Sequence, residues 1–139
     1  MKLYILIILV FIQFIISGCS SHINDNDEIS YPYKILKTIP SPFDKNIQIK
    51  IIKVGVKGGA TVSFAYQFFI SKNSEKLYRR NMFLWVNMLE NYDIKWMSFD
   101  TINVKIKASR VLEFKTLPYI KDDNDNMSFY KIVKFIYSQ

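Results

Sequence analysis

The chain holds one cysteine and one histidine, both within its first 22 residues. Cys19 ends the stretch Ile16-Ser17-Gly18-Cys19, which closes an apolar run from Leu3 to Ile16 broken only by Gln13. A thiol behind two small residues and a long apolar segment suits two reactions. One is cleavage between Gly18 and Cys19, because small side chains fit a signal peptidase pocket. The other is modification of the sulfur. His22 stands among polar residues and reads as a solvated side chain. No Ser-His-Asp or Cys-His set can then be assembled, nor a His/Cys metal cluster. A Walker loop and a dinucleotide-binding glycine pattern are both missing. What remains for catalysis is carboxylate: Asp44, Glu75, Glu90, Asp93, Asp100 and Glu113. Nothing in their spacing selects the pair that a hydrolase needs. Asp122, Asn124 and Asn126 have the spacing of a calcium loop, but Met127 replaces its glycine and Val133 its distal glutamate. The expectation is no catalytic residue, no metal and no cofactor.

The apolar run has 14 residues. As a helix it would extend about 21 Å, short of the ~30 Å hydrocarbon core of a bilayer. That favours a cleaved leader over a permanent span. With its lipobox Ile16-Ser17-Gly18-Cys19, the N-terminus resembles bacterial membrane lipoproteins, a likeness confined to about the first 20 residues. The resemblance implies that Cys19 receives a diacylglycerol on its sulfur, that the chain is cut before it, and that the new amine is acylated. Two or more acyl chains hold a protein stably on a membrane where one does not. In Gram-negative lipoproteins an Asp after the Cys retains the protein at the inner membrane. Ser20 in that place implies the periplasmic side of the outer membrane.

Without residues 1–18 the chain keeps 121 residues with 18 basic and 12 acidic side chains, a net +6. That is one domain's worth of chain. No disulfide can brace it, so stability must come from the core and from sheet hydrogen bonds. A cationic protein at a membrane can meet anionic lipid or an acidic protein partner; nucleic acid is not expected there. The organisation read from sequence is a leader over 1–18, a lipidated cysteine and flexible tether over 19–32, and a β-rich domain over 33–139.

Within that domain the apolar period is two. Strands are expected over 33–39 and 46–54, with Ile47, Ile49 and Ile51 on one face. Ile51-Ile52 breaks the alternation, which calls for a bulge or for cover on both faces. The reversal is expected over 55–59, where Gly58-Gly59 permits positive φ, and leads into a long strand over 60–70 with Val62, Phe64, Tyr66, Phe68 and Ile70 making one apolar face for the core. The basic stretch 71–81 reads as a loop or short helical turn. Further strands are expected over 82–89, with a helix running to Tyr92 as the alternative there, and over 94–97, 102–108, 111–117 and 127–137. Trp85 and Trp96 read as core. Phe43-Asp44 and Phe99-Asp100 each precede an alternating strand, a faint internal echo. The fold expected is a single antiparallel sheet or a small sandwich.

Ser41-Pro42-Phe43-Asp44-Lys45, Gly59-Ala60-Thr61 and Tyr66-Gln67-Phe68-Phe69-Ile70 also resemble an uncharacterised family of small secreted bacterial proteins. This resemblance spans 41–77 and implies a β-rich extracytoplasmic domain without bringing an activity. The function expected is that of a lipid-anchored envelope protein with a non-enzymatic binding or structural domain. An immunity protein that neutralises a toxin sent into the periplasm comes next, and an envelope hydrolase using carboxylates third.

Overall fold

Isoleucine, valine, phenylalanine and tyrosine recur at alternate positions, where they pack well on a pleated surface. The computed structural model describes residues 24, 27–55, 64–73, 76–122, 124 and 126–138. Its strands are β1 (Tyr33–Pro40), β2 (Ile47–Gly55), β3 (Phe64–Lys72), β4 (Met82–Trp96), β5 (Thr101–Phe114), β6 (Tyr119–Lys121), β7 (Met127–Phe129) and β8 (Lys131–Ser138). Six form one sheet in the order β1-β2-β3-β4-β5-β8, and β6 pairs with β7. The protein is mainly β, as its sequence pattern requires.

The doubled isoleucine in β2 is explained by cover on both faces. Ile49 and Ile51 lie opposite Ile70 and Phe68 and enter the main core. Ile52 and Val54 point the other way, into a second cluster with Phe69, Leu77 and Met82. The register shift in this hairpin sits in β1, between Ile35 and Lys37. A second shift, between β3 and β4, leaves Phe83 as an extra residue, so that Phe83 and Leu84 both enter the main core.

The long β4–β5 hairpin folds back over the sheet. Phe68 pairs with Leu84, yet its ring lies 6.0 Å from that of Tyr92. Tyr92 is eight residues further along β4, about 27 Å of extended strand. Likewise the Ile132 N–H donates to the Thr116 carbonyl at 2.9 Å, while Ile132 pairs with Ile102 at the opposite end of β5. Both contacts require the hairpin to bend near its middle. The register shifts there, between Leu89 and Asn91 and between Trp85 and Val86, and Met88 has φ 49°. The result is a sandwich made from one sheet. One layer is β1, β2, β3 and the near halves of β4 and β5; the other is their far halves with β8.

Several expected elements are corrected. The strands foreseen over 82–89 and 94–97 are one strand, β4, and those over 102–108 and 111–117 are one strand, β5. Bulges break the alternation without ending the pairing. The strand foreseen over 127–137 is divided at Tyr130 into β7 and β8. The sheet is mixed, because β8 runs parallel to β5. The fold-back is the cause: the link after Phe114 emerges beside the start of β5, so the chain re-enters the sheet in the same direction. Phe64, expected in the core, is exposed under the Lys53 ammonium, 3.5 Å from its ring centre. Of the reversal expected over 55–59, Gly55 ends β2 and the rest lies outside the described residues, as does Val62.

Met88 holds a left-handed backbone, which costs a residue with a Cβ about 1–2 kcal/mol, and its side chain is exposed. Met88→Gly is therefore expected to raise stability by up to about 1 kcal/mol after glycine's own entropy cost. Urea unfolding would show the gain as a higher midpoint at unchanged slope.

Candidate interaction surface

Gly18, Cys19 and His22 lie outside the described residues, as does Glu75. After Cys19 and His22, Asn24 and the residues from Asp27 to Gly55 are described, and from Asp27 the segment is packed on the domain. Ile29 N–H donates to the Leu77 carbonyl and Arg79 N–H to the Asp27 carbonyl, at 2.8 and 3.0 Å. Ile29 and Tyr31 pack against the second cluster. The Tyr31 hydroxyl donates to Gln67 Oε1 at 2.7 Å. Burial chiefly raises the Tyr31 pKa, against the Gln67 contact that lowers it. The last residues of the expected tether, 27–31, thus cover the outer face of β2 and β3.

The carboxylates are dispersed, each with a local role. Asp44 Oδ1 accepts the Asn46 N–H at 2.8 Å. Asp100 accepts the Ser98 and Thr101 hydroxyls, which hold its carboxyl below the usual range. Glu90 pairs with Lys107 and Asp93 with Lys95, both at the surface. Glu113 binds Arg79, with Lys115 3.8 Å away. Asp122 accepts from Asn124 N–H, Asn126 N–H and the Asn126 side-chain amide, at 2.8–2.9 Å. Donors of its own loop thus meet both Asp122 carboxylate oxygens. Among the described residues no three His, Cys, Asp or Glu side chains are grouped to hold a metal.

The basic stretch is largely spoken for by the protein itself. Besides Arg79, Lys76 pairs with Glu28 at 2.9 Å, and the Arg80 guanidinium lies 4.1 Å from the Tyr78 ring centre. Trp85 packs on the second cluster and Trp96 against Tyr130, with ring centres 6.1 Å apart. Both tryptophans therefore serve packing.

What stays open among the described residues is one edge of the sheet, the other being β8. There β1 pairs with β2 on one side only, and almost every residue in it is exposed. Tyr33, Ile35 and Leu36 are each more than 40% exposed, which for apolar side chains on an edge marks a surface that can accept a partner. Beside it lies a shallow groove of about 340 Å³ lined by Pro32, Tyr33, Lys34, Lys53, Gly55 and Phe64. Lys34 and Lys37 on the strand, and Lys53 behind Lys34, make this edge cationic. Sequence reading identified β1 as a strand but not as an edge. The available signal was its lack of alternation, Tyr33 to Ile39 mixing apolar and charged residues without a period. Comparison with known families, with curated proteins and with solved structures returned no match.

Proposed function

We propose that this protein is a lipid-anchored component of the cell envelope whose β domain binds an extended, acidic segment of another envelope protein along β1, without catalysing a reaction. Acyl chains on Cys19 hold it at the periplasmic side of the outer membrane, the location that Ser20 implies. The observation that carries the binding role is the open, apolar and cationic β1 edge. An incoming strand would pair with the side of the β1 backbone that meets no other described strand, while its side chains meet Tyr33, Ile35 and Leu36, the mode of recognition known as strand addition. The bulge at Leu36 interrupts a regular ladder. That limits endless edge-to-edge association and favours a short partner segment.

Two measurements test this. Cys19→Ala is expected to abolish fatty-acid labelling and leave the chain unprocessed; persistent labelling would sink the anchor. A partner crosslinked in stoichiometric amount to the acylated protein should be lost on Ile35→Asp with Leu36→Asp, weakening by tenfold or more, as for a central interface residue. Undiminished capture by that variant would rule out the β1 edge. A captured partner that kills cells when sent to the periplasm would assign the binding to neutralisation of a toxin.

A further inference from the structure

Half of the large apolar side chains exposed among the described residues gather at one end of the sandwich. They are Phe43, Met97, Phe99, Leu117, Met127 and Phe129, each 51–58% exposed. Pairing places them together. Ile47 lies opposite Lys72, Phe69 opposite Met82, and Leu84 opposite Phe114, so the loops 41–46, 73–81 and 115–118 share an end. The bend in β4–β5 returns the 97–100 turn to the same end. There the Lys131 N–H donates to the Asp100 carbonyl at 2.7 Å, and the Tyr130 N–H to the Pro118 carbonyl at 2.9 Å. The Tyr119 and Phe129 rings lie 5.5 Å apart.

The chain enters the domain at this end as well. Asp27 is tied to Arg79, and Ile29 to Leu77. The segment then crosses the outer face past Gln67 and reaches the groove at Pro32, beside Gly55 at the far end of β2. Cys19 is eight residues before Asp27, a reach of about 28 Å at most. The nine residues of β2 are themselves about 27 Å long. A lipid anchor on Cys19 therefore brings the apolar end to the bilayer with slack to spare. The opposite end, at Gly55 and the β4–β5 bend, could reach it only with the domain laid over and the tether fully stretched.

We infer that this apolar end is a second membrane contact, whose Phe and Met tips enter the lipid surface and hold the domain upright on the bilayer. The inference rests on the anchored reading above. It makes the membrane, rather than a protein, the occupant of these tips. Apolar tips at the lipid interface bury surface that would otherwise face water. An upright domain also keeps β1 along its side and accessible to a partner.

The test uses the full chain as a bacterial host processes it, reconstituted in phosphatidylethanolamine–phosphatidylglycerol vesicles. With the Cys19 sulfur blocked by lipid, one new thiol carries an environment-sensitive fluorophore: Phe99→Cys or Met97→Cys at the apolar end, Arg110→Cys at the opposite bend. Emission at 99 and 97 should shift to shorter wavelength and be quenched by nitroxide-labelled lipid, while 110 stays unquenched. Probes at 99 and 97 as unquenched as the one at 110 would overturn the inference. So would a shifted but unquenched emission, which would mean that protein covers the tips. The mass of the N-terminal peptide separates the two readings. Fatty acid present with unquenched tips overturns the membrane contact alone; fatty acid absent overturns the anchor and the contact with it.

Discussion

Phe68→Ala is expected to destabilise the domain by about 3–5 kcal/mol, the cost of emptying a well-packed aromatic site. Phe68 has no exposed surface and occupies the middle of β3. Its ring touches both layers of the sandwich: Phe83 in the near half of β4, and Tyr92 in the far half. Deleting it removes the contact between the layers as well as its own burial. A domain of this size is worth about 5–15 kcal/mol in total, so the variant should be partly unfolded at 37 °C. Urea unfolding at 10–25 °C gives the number. Phe68→Leu, which keeps most of the volume, should lose less than half as much. Equal losses for the two would mean that the edge of the Tyr92 ring matters more than the filled space.

Alkaline pH is expected to weaken the fold through Tyr130. This side chain is 3% exposed, packed against Trp96. Burial, reinforced by the negative charge of Asp44, pushes its phenol from an ordinary 10.0 up to about 12. The raised value means that the folded chain resists ionisation that the unfolded chain accepts. The stabilisation is therefore complete below pH 10 and is lost as pH rises from about 10 to about 12. Its full size is about 3 kcal/mol, at about 1.4 kcal/mol for each pH unit. Burial raises the Tyr31 phenol as well, so the informative quantity is a difference. Tyr130→Phe keeps the ring on Trp96 and removes the titrating hydroxyl. Its unfolding free energy should fall less steeply than wild type above pH 10. Parallel curves would show that Tyr130 does not carry the effect.

How much was legible in the sequence can be read from particular residues. Ile47, Ile49 and Ile51 alternate with Gln48 and Lys50, and Phe64, Tyr66 and Phe68 alternate with Ala65 and Gln67 one strand later, so β2 and β3 were recoverable from period. β4 and β5 were not. Glu90 and Leu112 are extra residues in their strands, and an extra residue reverses the period from that point on. A strand that continues through a bulge therefore reads as two strands. The parallel placement of β8 was equally hidden, since it follows from the bend and not from any residue in β8.

The same division holds for the surfaces. Arg79 was visible as part of a basic stretch, but its partner Glu113 lies 34 residues away and belongs to another strand. Phe43 and Phe99 are apolar and stand just before strands. Nothing in their type distinguishes a core residue from an exposed tip. β1 was recognised as a strand, but being an edge is a property of what does not pair with it.

By itself, then, the sequence determined the β class, through the two-residue period, and it alone carries the proposed anchor at Cys19, which is read from a run of adjacent residues without reference to the fold. Only the tertiary structure decided which strands lie at the edges, which way β8 runs, and which end gathers the exposed apolar tips. Local pattern governs how a segment pleats. Contacts between residues distant in the chain govern where that pleated segment lies, and here they depend on one bent hairpin held down by Phe68.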